Sequence, residues 1–346
     1  MRRIVGYVLI GLGVFAVALG LMLRLYAYPR LAKAPLDPKA VSVATGSGIT
    51  ALVIQDNNGA PLPQILQNLT LTATRNVIGD LAQPEVKDGG TVASWIETLD
   101  IVDQNGNRVK ATERQLCLDR HTNEAVEPCN DRHVIASTDP ETFQKVVEQN
   151  VAQPGVHFKF PFDTEQRSYP FYDLTLRSAP EAKFDGEEEL GGLNTYRFVQ
   201  DIPQTKVEQR KVPGSLVNST DTGLVTTDLY YQNKRTIWVE PATGQVIKGQ
   251  EVQRQELVRS DQSPGQGTVV FDGTLTFNDQ TVTKNVNEAK DNRGKLWLLT
   301  VLPIILWITG TVLVIAGVVL LLLRRRGGRV PDETPPQTRE LTGATT

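Results

Sequence analysis

The residues best equipped for chemistry sit in two neighbouring stretches. Cys117-Leu-Asp-Arg-His121 and Cys129-Asn-Asp-Arg-His133 are near repeats that together offer two thiols and two imidazoles. Four such groups could hold a structural zinc ion tetrahedrally. The two thiols could instead join as a disulfide, which an extracytoplasmic setting favours. The disulfide is the expectation and zinc the alternative. Closing so short a loop is worth roughly 3 kcal/mol in the chain-entropy model.

Other reactive side chains form no recognisable catalytic set. The third histidine, His157, lies in no nucleophile context, and no Gly-x-Ser-x-Gly elbow, HExxH helix or phosphate-binding loop occurs between the apolar ends. Asp163 and Asp173, each flanked by aromatics, could pose as paired carboxylates for glycoside chemistry, but sequence cannot set their separation. Glu187-Glu188-Glu189 reads as a solvated acidic loop. No enzyme, cofactor or metal is expected. Phe158, Phe160, Phe162, Tyr169, Phe171 and Tyr172 crowd into a short segment of a chain that is only 6% aromatic. Such a cluster is either core or the wall of an apolar ligand cavity, and one residue set can serve both.

The elements that must hold these residues start at a membrane. Apolar runs from Ile4 to Leu23 and from Leu296 to Leu323 each match the roughly 20 residues that an α-helix needs to span a bilayer. Neither contains a charge, so both read as anchors rather than as an ion path. The expected order is a cytoplasmic N-terminus (1–3), a first span (4–24), an exported domain (25–295), a second span (296–323) and a disordered cytoplasmic tail (324–346). Arg2 and Arg3 before the first span, and Arg324, Arg325, Arg326 and Arg329 after the second, place both termini in the cytoplasm of a plasma membrane. Arg24, Arg30 and Lys33 pull the other way at the first span, so the second decides. Tyr26, Tyr28 and Trp297 mark the exported interface. A cleaved signal peptide is the alternative for the first run, but its one small-x-small site, Ala32-Lys33-Ala34, is distant and precedes Pro35.

A net charge of −3, with 22% charged residues, gives no basic surface for nucleic acid. Within the domain, short alternating runs separated by turn residues predict an α+β fold rich in strands. Leu69–Thr74 alternates. Val92–Asp103 closes on Asn105-Gly106. Thr236–Glu240 and Gln245–Lys248 flank a four-residue hairpin loop, and Thr268–Phe271 and Thr274–Phe277 read as a pair joined by Asp272-Gly273. Strand character also runs from Leu36 to Pro63. One helix is predicted from Asp139 and Pro140 through Phe143, Val146 and Val147. A second, capped by Asn278 or Asp279, carries Val282, Val286 and Ala289 toward the second span.

Several stretches together resemble one family. They are Arg24-Leu-Tyr-Ala-Tyr-Pro29, Ala34-Pro-Leu-Asp37, Cys117-Leu-Asp-Arg120 with Glu124-Ala-Val126, Phe158-Lys-Phe-Pro-Phe-Asp163, Gly192-Leu-Asn-Thr-Tyr-Arg-Phe198 and Val239-Glu-Pro-Ala-Thr-Gly244. The family is the actinobacterial two-pass membrane proteins called the porin PorA family, and the resemblance covers nearly the whole chain. It implies a cell-envelope protein associated with assembly of lipomannan-type lipoglycans. The exported domain is also similar in layout to class B scavenger receptors, which are anchored at both ends and carry lipid through a tunnel. A barrel channel needs many amphipathic membrane strands, and the sequence does not signal them. The expected function is therefore non-catalytic binding or transfer of a membrane lipid or lipoglycan. The alternative is a structural or regulatory partner of membrane glycosyltransferases, and a channel subunit is third.

Overall fold

The computed structural model describes residues 2–57, 60–87, 89–138, 145–221 and 223–322. They form two compact units, one from the stretches up to Pro29 and from Trp297 onward, the other from Arg30–Leu296. The predicted disordered tail lies outside the described residues, as do its arginines.

The first unit is a pair of helices, each long and apolar enough to cross a membrane. Helix α1 (Arg2–Met22) passes through a π-helical turn (Leu23–Ala27) into a last turn, α2 (Tyr28–Leu31). Its partner is the distal part of α3 (Asp279–Leu322). Glycines set how closely they approach. A Cβ on Gly13 would lie 2.6 Å from the Gly310 carbonyl oxygen, and one on Gly310 would lie 2.7 Å from that of Gly13. A Cβ on Gly317 would meet the Gly6 carbonyl at 2.8 Å, and one on Gly20 the Trp307 ring at 2.6 Å. Gly6, Gly13 and Gly20 thus face Gly317, Gly310 and the Pro303–Trp307 turn in antiparallel order, in steps of seven residues. Small residues at this period let two apolar helices pack backbone to backbone, where dispersion rather than burial from water holds them.

The second unit is built from strands. These are β1 (Ala40–Asn57), β2 (Ala60–Gly79), β3 (Val92–Asp103), β4 (Arg108–Asp119), β5 (His133–Thr138) and β6 (Lys145–Gln149), then β7 (Tyr169–Pro170), β8 (Glu181–Leu190), β9 (Leu193–Pro213), β10 (Leu224–Glu240), β11 (Gln245–Arg259) and β12 (Thr268–Phe277). They pair antiparallel in one ladder, β6-β5-β4-β3-β2-β1-β12-β11-β10-β9-β8-β7. Ile49, Ala51, Val53, Leu69, Leu71 and Phe271 form a buried cluster where β1, β2 and β12 meet.

The turn chemistry explains several boundaries. Asp103 accepts from the backbone N–H groups of Asn105 and Asn107 at 2.8 Å each, and Gly106 takes φ 82°, so β3 turns into β4 where Asn-Gly predicted it. The β10–β11 hairpin and the strand at Leu69–Thr74 also match expectation; of the stretch expected to have strand character from Leu36 to Pro63, Ala40–Asn57 forms β1 and β2 begins at Ala60, while 36–39 is not strand. Asn278 caps α3 by accepting from the Thr281 N–H at 2.9 Å.

Two readings are corrected. Thr268–Phe277 is one continuous strand, not a hairpin. Gly273 has no positive φ; a Cβ there would come within 2.6 Å of the Ile49 side chain, so its smallness serves packing rather than a turn. Val146 and Val147 lie on β6, not on a helix, while the start of that predicted helix, from Asp139 to Gln144, lies outside the described residues.

Candidate functional site

The ladder does not end at β6 and β7. Ala125 bridges Leu118 of β4, Glu124 bridges Val156, and Val156 bridges Phe171. Phe171 N–H then donates to Pro180 at 3.2 Å, beside β8, and Gln200 of β9 donates to the Phe171 and Pro180 carbonyls. Residues 150–180 therefore form a closing segment that joins the β4 side to the β8 side. An ion pair from Arg177 to Glu148 of β6 reinforces the closure. The strands make a ring, and inside it runs a cavity of about 1750 Å³. On β2 its lining extends from Pro63 to Val77, roughly 45 Å of extended chain.

The closing segment carries the aromatic cluster, and the structure divides it. Phe158, Phe162, Phe171 and Tyr172 line the cavity. Phe160 and Tyr169 do not: both are fully buried in the wall with Phe198, whose ring stacks on Phe160 at 4.6 Å. Phe160 is drawn there because its N–H donates to the Gly244 carbonyl at 2.8 Å, clasping the segment to the β10–β11 turn. Phe158 adopts φ 57°, a left-handed conformation costly for an aromatic residue. Held so, its ring packs 5.5 Å from Trp95 and lies 4.8 Å beneath the Arg114 guanidinium.

A belt of charges crosses the cavity wall. Glu97 of β3 is gripped by Arg75 of β2 at 2.8 Å and by Arg114 of β4. Burial raises its carboxyl, but the two arginines outweigh this and hold it below the ordinary value. Arg235 of β10 pairs with Asp173 of the closing segment and with Glu251 of β11, each at 2.9 Å, and donates to Gln200. Tyr231 donates to Asp173 at 2.9 Å. Burial again works against the Glu251 carboxyl, yet Arg235 holds it down at about 2. His157 is locked neutral. Its Nε2 sits 2.9 Å from the Gln153 carbonyl and its Nδ1 3.0 Å from Arg114, so the network assigns Nε2–H as donor and Nδ1 as acceptor. Burial and the Arg114 charge push its pKa well below the usual range.

The other sequence candidates serve the frame. Cys117 and Cys129 are joined as a disulfide. The imidazoles that would complete a zinc site point elsewhere: His121 contacts the Ala32 carbonyl at 2.8 Å, and His133 faces Glu113. Cys117→Ser is expected to lower stability by about 3 kcal/mol without changing membrane insertion. Denaturant melts of variant and parent in oxidising buffer check this; equal midpoints would count against it. Asp163 and Asp173 occupy different surroundings. Asp163 sits in the turn docked on the β10–β11 loop, its N–H donating to Ala242, whereas Asp173 belongs to the charge belt. The acidic run is not a loop but part of β8. Glu187 accepts from Gln166 and Asn194, and Glu188 from Trp238 and Arg197.

Sequence reasoning missed the belt itself. The signal was present as charges on the apolar parity of a strand, Glu97 between Trp95 and Leu99, and Arg75 between Ala73 and Val77.

Comparison with known proteins gives consistent matches along the chain. The family model described as Porin PorA matches residues 5–319. A Porin PorA of Corynebacterium amycolatum is 23% identical over 383 aligned positions, covering 92% of this chain and 98% of the relative. A Porin PorA of Corynebacterium resistens is 24% identical over 288 positions, covering 64% of this chain and 69% of its own length.

Proposed function

We infer that this chain, which belongs to the porin PorA family, is a two-span membrane protein whose strand ring holds a lipid or lipoglycan during envelope assembly. The observation that carries the reading is the cavity. At about 1750 Å³ it exceeds the roughly 300–1,000 Å³ of ordinary small-molecule sites. Leu52, Ile54, Trp95, Ile101, Phe158 and Val270 contribute apolar wall, which suits acyl chains. The belt offers polar groups part-way along, as an amphiphile requires.

Native mass spectrometry of the full-length protein, gently extracted, tests this. The expected result is a stoichiometric amphiphile that survives delipidating washes. A bare protein mass, or a co-purifying glycosyltransferase with an empty cavity, would sink the reading. Gly249→Trp sharpens the test. Gly249 lines the cavity on β11, has no positive φ, and a Cβ there would meet only the edge of the Phe277 ring at 3.4 Å. The variant is expected to fold normally and to lose most of the bound lipid.

The relatives' name supplies a second reading, conduction. Exposed ion pairs outside the cavity lining, such as Lys206–Asp228 and Arg254–Asp272, stud the strands, which supports a ring bathed in water rather than in lipid tails. Unitary conductance steps from purified protein in planar bilayers, abolished by Gly249→Trp, would favour the channel instead. In the lipid-binding reading the ring is exported and both termini are cytoplasmic. Single cysteines placed at Lys206 and Arg3 are expected to react with an impermeant thiol reagent from outside and from inside, respectively.

A further inference from the structure

We propose that the cavity selects amphiphiles with an anionic head, a carboxylate or a phosphate, and that Lys159 is the group that holds the charge. The proposal rests on the cavity being a lipid site.

Lys159 lies on the closing segment between Phe158 and Phe160 and lines the cavity. Its ammonium is buried, and among the described residues nothing accepts a hydrogen bond from it. What it touches is the face of Phe162, 3.6 Å away. Glu240 is the carboxylate whose field reaches it, but the Glu240 oxygens already accept from the Ala242 and Thr243 N–H groups and the Thr243 hydroxyl. A buried ammonium with three donors and no acceptor is costly, and such an exception calls for an explanation.

Among the described residues, four other cations along the wall already have partners. Arg75 and Arg114 share Glu97, and Arg235 bridges Asp173 and Glu251. Lys33 donates to the Gly89 and Gly90 carbonyls. Lys110 differs: three carboxylates, Asp173, Glu251 and Glu208, act on it against Arg210, and its ammonium is not among the buried atoms without a partner, whereas Lys159 has Glu240 alone. An incoming anion at Lys159 breaks no ion pair and displaces only an aromatic ring. Burial, partly offset by Glu240, leaves the Lys159 ammonium titrating at about 7. An anion would bind the protonated form, so its affinity should fall as pH rises through that value.

The test uses full-length protein in detergent with cis-parinaric acid and its methyl ester as fluorescent probes. At about pH 6 the acid is expected to bind at least about tenfold more tightly, the worth of one charged hydrogen bond. Raising the pH to about 8.5 should weaken the acid and leave the ester unchanged. Lys159→Met should erase the preference while ester binding persists, and Lys159→Arg should keep it. Equal binding of acid and ester by the parent, or a preference that survives Lys159→Met, overturns the proposal and leaves the lipid site standing. Failure of both probes to bind overturns the lipid site as well. Displacement of the acid by millimolar inorganic phosphate would reassign Lys159 to free anions and overturn the headgroup assignment.

Discussion

Arg235→Ala is expected to destabilise the ring by about 3–5 kcal/mol at neutral pH, the usual cost of removing one partner from a buried ion pair. Asp173 is almost wholly buried, at 1% side-chain exposure, and Arg235 itself keeps only 13%. Without the guanidinium, two carboxylates lose their charged partner and the Gln200 oxygen loses a donor, leaving Asp173 with the Tyr231 hydroxyl and Glu251 with side-chain amides. The pH dependence separates this from a packing defect. Glu251 titrates at about 2 in the parent against an ordinary 4.5, so the stability it contributes is present above 4.5 and lost as pH falls toward 2. The gap between parent and variant should therefore narrow across that window in urea melts. A gap of constant size would assign the loss to packing. Arg235→Met, which fills the volume without charge, should recover little at neutral pH because the carboxylates remain without their countercharge.

Gly244→Val is expected to be comparably severe, at about 3 kcal/mol or more, from a left-handed backbone forced on a β-branched residue and a broken docking contact. Gly244 has φ 71°, and a Cβ would fall 2.0 Å from the Phe160 carbonyl oxygen and 2.5 Å from that of Pro161. The clash pushes the closing segment off the hairpin turn. Gly106→Val provides the control. Its φ of 82° imposes the same backbone cost, but a Cβ there meets nothing within 4 Å. The closing segment of Gly244→Val should become sensitive to limited proteolysis, and that of Gly106→Val should not. Equal sensitivity would mean that the clasp contributes nothing.

What was legible in the sequence follows the range of the interactions involved. The strand at Val92–Asp103 and the hairpin around Pro241–Gly244 are written in local alternation and turn residues, and both appear where expected. The Asp272-Gly273 dipeptide misled because glycine is chosen for two reasons, and only the distant Ile49 reveals which applies. Ring closure was not legible at all. It depends on isolated bridges among Leu118, Ala125, Glu124, Val156 and Phe171, which leave no periodic trace. The aromatic cluster was visible as a cluster. Which rings face the cavity and which fill the wall is decided by Phe160 docking on Gly244, again a contact between distant residues.

The glycine seam between α1 and α3 has a consequence for how the protein is made. Gly13 and Gly310 touch across the seam, yet the whole strand ring is translated between them. Helix α1 must wait in the bilayer, unpartnered, until the ribosome has finished the ring. A seam of polar side chains would leave unmet hydrogen bonds facing hydrocarbon through that interval and invite other helices. A groove of glycines leaves only a shallow notch that lipid tails can fill. The backbone's own hydrogen bonds stay within the helix. The seam is thus tolerant of delay, and it closes only on a chain that has been synthesised through to its second helix.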